Sequence, residues 1–206
     1  MFEQTFNTQL SLITNDKELI EDLWSEIKTQ YSKTNRHYHN LTHLNNLESE
    51  LLPLKDKITD WQILIFSIAY HDIVYNTLKT DNEEKSARLA NSRLSKLDIS
   101  KVQRNKCLSQ IRATKGHNIS EDPDTNYLTD ADLAILGSDS QEYLKYVKSI
   151  RKEYKLYPDF VYNPGRKKVL EHFLQMPRIY KTDYFYNKYE ERARKNINDE
   201  VRQMIT

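Results

Sequence analysis

The stretch TDWQILIFSIAYHDIVY, residues 59–75, is apolar on nearly every side, the pattern of a helix enclosed by other helices. Its apolar run, Ile63 to Tyr70, is far shorter than the roughly 20 residues needed to cross a bilayer, so the enclosing material is protein. Thr59 or Asp60 stands where a cap for its first turn is needed. The run leads directly into His71 and Asp72. If the helix continues through them, both are driven inward, where a carboxylate is costly unless a partner or a metal neutralises it. A buried His–Asp hydrogen bond would also satisfy the pair, with no function attached.

Outward from this segment the whole chain reads as helical. Only three glycines occur in 206 residues, and apolar residues recur at intervals of three and four, which is the helical period. Leu19, Leu23, Ile27 and Tyr31 form one stripe; Leu44, Leu47 and Leu51 form a second, ended by Pro53. Downstream come Ala87, Ala90, Leu94 and Leu97, then Val102, Leu108 and Ile111. The turn formers of GHNISEDPDTNY, residues 116–127, predict a loop. A helix is expected from TDADLAIL to near Gly137, followed by one carrying Tyr143, Val147, Ile150 and Tyr154. GRKKVLEHFLQM, ended by Pro177, and a last helix carrying Phe185, Tyr189, Ala193, Ile197 and Val201 complete the pattern. With no repeat, low-complexity tract or linker, the expectation is an all-α, single domain over residues 1–206.

Lys plus Arg number 31 against 30 for Asp plus Glu, a net charge of +1. No global field exists to recruit long nucleic acid or a membrane, so affinity for anions must come from a local site. Cys107 is the only cysteine and has no partner for an internal disulfide, and the first residues lack the basic start and apolar core of a signal peptide. A cytoplasmic protein is expected.

Three of the six histidines crowd into NRHYHNLTHLNN, residues 35–46. If His39 and His43 are both helical, they share one face about a turn apart, with His37 pointing elsewhere; polar surface residues near a helix start would look the same. In LTDADLAILG, residues 128–137, Asp130 and Asp132 stand at the start of the expected helix. Capping and the helix dipole explain Asp130 there and explain Asp132 less well. Together, His43, His71, Asp72 and Asp132 form a nitrogen and oxygen set suited to Mn, Fe, Ni, Co or Mg, and unlike a thiolate-rich structural zinc site. Such a centre activates water and polarises a phosphoryl oxygen.

The order His…His-Asp…Asp on an all-helical chain resembles the HD superfamily of metal-dependent phosphohydrolases. More narrowly, RHYHNLTH, AYHDIVYNTLKTDNEEKSA, DADLAILG, IRKEY and RARKN are similar to a bacterial group described as predicted metal-dependent HD-superfamily phosphohydrolases, over about Arg36 to Asn196. The resemblance implies ligand roles for His43, His71, Asp72 and Asp132. By likeness to the YHNxxH pattern of cyclic-nucleotide phosphodiesterases, it makes His43 the ligand and His39 the general acid. Asp132 is preferred to Asp130 by likeness to an Asp-x-Asp signature. The implied substrate is a nucleotide or another small phosphoester, and the implied cofactor is one divalent ion per chain. Oxygenases of the superfamily carry two further histidines between the His-Asp pair and the last Asp, where this chain has only His117, so a single ion is expected. His117 is then a candidate for phosphate contact, with a solvated loop residue as the plainer account. A module that binds a nucleotide without cleaving it and an iron-dependent oxygenase are the rival expectations.

Glu83 falls where a new helix starts, which the dipole explains alone; the resemblance would bring it to the site as an orienter of water. Arg36 is suited to clamp a phosphate, its guanidinium gripping two oxygens, with Lys85 or Arg166 assisting. Tyr38 and Tyr75 flank the ligands and would line a substrate site, while His37 and His172 are expected to be structural. The sequence does not speak to oligomeric state.

Overall fold

The structure is a computed structural model and describes residues 1–204. Among them there are ten α-helices, two short 3-10 helices and no strand, so the all-α expectation holds. Among the described residues no helix is long and apolar enough to cross a membrane. The chain divides into two compact units, the first comprising Met1–Thr129 and the second beginning at Asp130. No linker separates them, because residues 129 and 130 are consecutive in one helix.

In the first unit the helices are α1 (Phe2–Ser11), α2 (Lys17–Tyr31), α3 (Leu41–Leu51), α4 (Trp61–Tyr70), α5 (Asn82–Leu94), α6 (Lys101–Ala113) and the start of α7 (Pro123–Asp132). As its composition requires, α4 is enclosed: every residue but Gln62 is buried, and α1, α3, α5 and α6 pack against it. Asp60 is its cap, accepting from the Ile63 N–H at 3.1 Å. Phe2 and Phe6 of α1 stack with each other and meet Trp24, with Phe66 and Tyr70 closing on Phe6. Each such ring contributes roughly 2–3 kcal/mol through removal from water. Pro53 does not stop the chain after α3; it sits in a 3-10 segment, Leu52–Lys57. Val102, expected inside, is exposed, and α6 instead buries Cys107, Leu108, Gln110 and Ile111. Helix α5 ends before Leu97, which is still buried.

The segment expected as a loop contains a helix start. Asp122 caps α7, its carboxylate accepting from the Thr125 N–H and hydroxyl at 3.2 and 2.7 Å, and Pro123 takes the first helical position, where its missing N–H is no loss. Asp124 is fully buried, accepting from the Thr59 and Asp60 N–H groups at 2.8 and 3.0 Å and pairing with Lys106 at 2.5 Å. It thereby fastens α7 to the start of α4.

The second unit holds the end of α7, a 3-10 turn at Ala134–Gly137, then α8 (Ser140–Glu153), α9 (Asp159–Gln175) and α10 (Asp183–Gln203). Phe185, Tyr189, Ala193 and Ile197 line the buried face of α10, with Val201 half-buried. Gly137 lies so close to Tyr189 that any side chain there would meet the backbone of α10. Helix α9 starts six residues before the expected Gly165 and contains Pro164. The proline removes the bond to the carbonyl of Phe160, and Phe160 is solvent-exposed, so water can serve that oxygen.

Candidate metal centre

Helix α4 stops at Tyr70, and His71 caps it. The His71 side chain is 1% exposed and its Nδ1 lies 2.8 Å from the carbonyl of Ile68. A carbonyl only accepts, so Nδ1 carries the proton and the neutral ring directs a lone pair from Nε2. That Nε2 lies 3.2 Å from Nε2 of the buried His43 and 3.2 Å from Oδ2 of Asp72. His71 Nε2 and Asp72 Oδ2 are then two lone-pair atoms in contact, which requires an added proton or a cation between them. Two nitrogen ligands held at about 2.1 Å from one ion are about 3.0 Å apart at a right angle and about 3.4 Å apart in a tetrahedron. The observed 3.2 Å between the histidines fits a shared ion. An Nδ1–H anchored on a backbone carbonyl is also the usual orienting contact of a ligating histidine.

His39 reaches the same place by a different route from the one expected. It is not helical: Asn40 caps α3 through the Thr42 N–H at 2.9 Å, and His39 precedes that cap in a bend. The bend still brings its ring to 5.7 Å from that of His43 and its Nε2 to 3.8 Å from Asp72 Oδ2. Tyr38 at 5.0 Å and Tyr75 at 4.5 Å between ring centroids hold the imidazole between them. His39 and Asp72 are partly exposed, at 20% and 17% of their side chains. Asp72 is thus less buried than a continued α4 would have made it.

Arg36 is placed as a strut between the His39 bend and the turn after α4. It is 6% exposed; Nη1 donates to the carbonyl of His39 at 3.0 Å and Nη2 to that of Ile73 at 2.8 Å. Its guanidinium lies over the rings of Tyr31 at 4.7 Å and Tyr75 at 5.3 Å. The Tyr31 hydroxyl accepts from the Asp72 N–H at 3.2 Å, and Ser86 of α5 accepts from the Val74 N–H at 3.1 Å. These bonds fix residues 71–75 against the His39 bend without α4 to support them.

Other expected residues are positioned elsewhere or otherwise engaged. Glu83 is half-buried in the first turn of α5, with no hydrogen bond or ion pair among the described residues. Its neighbour Glu84 binds Arg112 and Arg88, which hold its carboxyl down at about 2. Lys85 pairs with Asp81 at 3.0 Å on the surface. His117 lies beyond the end of α6 in a left-handed conformation, φ 50°, its N–H bonded to the Ala113 carbonyl at 3.0 Å. His37 and His172 are exposed. In the second unit Arg166 is buried against Glu200 at 2.8 Å and donates to the Tyr146 hydroxyl at 3.1 Å, so its donors meet protein acceptors.

Asp130 and Asp132 sit at the end of α7, not at a helix start, so neither capping nor a favourable dipole accounts for them. Asp130, fully buried, takes the N–H groups of Lys181 and Thr182 at 2.9 and 2.8 Å and the Thr182 hydroxyl at 2.7 Å. Asp132 is half-buried. Lys181, which sequence reasoning passed over, has a side chain only 5% exposed, its Nζ 3.3 Å from Asp130; burial lowers its pKa, against the opposing pull of Asp130, Asp132 and Glu190. Tyr31 and Ser86 were also missed as site-building residues. Their spacing marks them only as helix residues; the contacts come from tertiary folding.

No protein-family model matches this chain, and no match occurs among curated proteins or solved structures.

Proposed function

We propose that this protein is a metal-dependent phosphohydrolase acting on a nucleotide or another small phosphoester, as the HD superfamily that its sequence resembles would imply. The observation that carries the reading is the meeting of His71 Nε2 with His43 Nε2 and Asp72 Oδ2, each at 3.2 Å, while His71 Nδ1 is committed to Ile68. The ligand set is His43, His71, Asp72 and Asp132, and the ion is one of Mn, Fe, Ni, Co or Mg, one per chain. His43, His71 and Asp132 belong to a group able to hold a metal. Asp132 is preferred to Asp130 because both oxygens of Asp130 already serve the peptide groups of Lys181 and Thr182.

When bound, a divalent ion here would supply Lewis acidity and a water acidic enough to ionise near neutral pH. The chain's own part is positioning and proton transfer. Asp72 would help to hold the ion, and Glu83 is the candidate to orient the attacking water, as the resemblance implies. His39, held between Tyr38 and Tyr75 and open to solvent on one side, presents its Nε2 proton to the leaving oxygen as general acid. Arg36 keeps the His39 carbonyl and the 71–75 turn in register.

The test is metal content by mass spectrometry on untagged protein prepared without chelator, beside His71→Ala and Asp72→Ala, followed by a phosphoester screen with the ion found. About one ion per wild-type chain, its loss in both variants and metal-dependent release of phosphate or alcohol support the reading. Hydrolysis that persists without metal, or a wild-type chain that takes up none of the five ions, would sink it. A loaded chain that binds nucleotide and returns it intact would favour the binding module, and oxygen consumption would favour the oxygenase.

A further inference from the structure

We propose that the corner between α8 and α9 is a docking surface for an anionic lipid membrane, on which the protein rests without spanning it. The inference does not depend on the phosphohydrolase reading. The net charge of +1 conceals an uneven distribution. Residues 145–168 hold eight lysines and arginines against two acids, while the rest of the chain holds 23 against 28. The arginines of the corner are committed to the protein. Arg166 is buried against Glu200. Arg151 pairs with Asp159 at 2.6 Å, donates to the carbonyls of Tyr154 and Tyr157 at 3.0 Å each, and lies over the Tyr162 ring. Lys145 and Lys167 have Glu142 and Glu171 as partners. Lys148, Lys152, Lys155 and Lys168 are exposed and have no ion pair among the described residues, so their charges face solvent without a counter-charge.

The same corner exposes apolar surface. Leu156 is 66% and Phe160 80% exposed, with Val161 and Pro164 exposed beside them. One exposed apolar residue needs no explanation, but a cluster rimmed by polar side chains marks an interaction surface. Helical spacing sets Phe160, Pro164 and Lys168 along one stripe of α9, away from the buried Tyr162, Leu170 and Phe173. The Arg151 bonds and the packing of Tyr154 on Tyr162, 5.8 Å between ring centroids, brace the turn, so Leu156 and Phe160 are held outward before anything binds. The occupant follows from the pairing of exposed apolar residues with free lysines. An anionic lipid surface takes shallow Phe and Leu side chains and attracts the lysines through its diffuse negative charge. The lysine stems can lie along the apolar layer with their ammonium groups among the headgroups. Protein interfaces are depleted in lysine and use arginine to grip carboxylates, whereas every unpaired cation of this corner is a lysine. Nucleic acid would engage the lysines and leave Leu156 and Phe160 in water.

The experiment is co-sedimentation of the full chain with vesicles of phosphatidylcholine alone or with about 30% phosphatidylglycerol added. Wild type is compared with Lys152→Gln/Lys155→Gln, with Phe160→Ser, and with Lys17→Gln/Lys101→Gln as a control in the first unit. Wild type is expected on the anionic vesicles and not on the neutral ones, with binding weakened by salt. The Lys152→Gln/Lys155→Gln chain should bind roughly 10- to 30-fold more weakly, Phe160→Ser about 10-fold more weakly or worse, and the control like wild type. Phe160→Trp reads the contact directly, because the native Trp24 and Trp61 are buried; its emission should shift to the blue when anionic vesicles are added. Wild type that ignores anionic vesicles overturns the proposal, as does binding that survives both corner substitutions unchanged. Self-association that Phe160→Ser abolishes, without vesicle binding, also overturns it and assigns the corner to a second copy of the chain.

Discussion

Replacing Asp130 by alanine separates the two carboxylates of the Asp-x-Asp pair by what each does. The Asp130 side chain is fully buried and receives three hydrogen bonds, from the N–H groups of Lys181 and Thr182 and from the Thr182 hydroxyl, besides facing the Lys181 ammonium at 3.3 Å. Truncation leaves each of these partly buried donors without its acceptor, at about 1 kcal/mol apiece toward the lower end of the usual range, and strips a buried ammonium of its nearest counter-charge. The sum is on the order of 3–5 kcal/mol, which is also the range for breaking a buried pair by removing one member. Against a total stability of about 5–15 kcal/mol that is a large share. With a urea slope of about 2 kcal/mol/M, the unfolding midpoint falls by roughly 2 M. The assay is urea denaturation in chelator, so that metal binding does not enter, with Asp132→Ala alongside. Asp132 is half-buried, and its removal is expected to shift stability by no more than about 1 kcal/mol while abolishing metal uptake. A stable Asp130→Ala chain that has lost its metal would refute this division and return Asp130 to the ligand set.

Gly137→Ala places a Cβ 2.5 Å from Tyr189 Cβ and 2.7 Å from its carbonyl oxygen; since α10 backbone must move, a loss of at least about 2 kcal/mol is expected, and an unchanged melting temperature would contradict the close approach. Glu84, held at about 2 in the folded chain against an ordinary 4.5 by Arg112 and Arg88, contributes stability present above 4.5 and lost as pH falls toward 2. Glu84→Gln should flatten that limb of the stability profile, and 1 M salt should weaken the effect in wild type. Cys107 is fully buried and its thiol is pushed up to about 12 by desolvation. At pH 8 the thiolate is then about one part in ten thousand, so labelling by a thiol reagent should be slow in buffer and fast in urea; rapid native labelling would mean that α6 does not enclose it. His39→Gln should keep the metal and lower turnover by about 10²–10⁴-fold, and loss of the ion would move His39 into the ligand set.

The buried faces of α2, α3, α4, α5 and α10 were legible because core burial imposes a period of three to four on the sequence, and Leu23, Ile27, Leu44, Leu47, Ala87, Ala90, Phe185 and Ile197 are all buried. Helix α1 carries the same signal in Phe2, Phe6 and Leu10, but a short helix at a terminus competes poorly with its polar residues. The error at α7 had a definite cause. Asp-Pro and the surrounding polar residues of EDPDTNY suit a turn, yet an aspartate cap followed by proline at the first position is equally a helix start, and only the burial of Asp124 against Thr59 and Asp60 decides between them.

That boundary changes the meaning of the site more than the count of helices. With Asp130 and Asp132 at the start of a helix, capping and the dipole would account for Asp130, though less well for Asp132. At the end of α7 the dipole opposes them, so each needs a specific positive partner. Asp130 has one in the Lys181–Thr182 segment. Asp132 is close enough to the buried Lys181 to act on its charge, and in the reading proposed above it would also help to hold the ion. The histidines were legible as a cluster because they are close in sequence. What turns the cluster into a candidate centre is the Ile68 carbonyl that fixes one tautomer and the Arg36 strut that sets the bend, and neither is a matter of spacing. A backbone carbonyl leaves no letter in the sequence, and an arginine reads the same whether its donors meet phosphate or the chain.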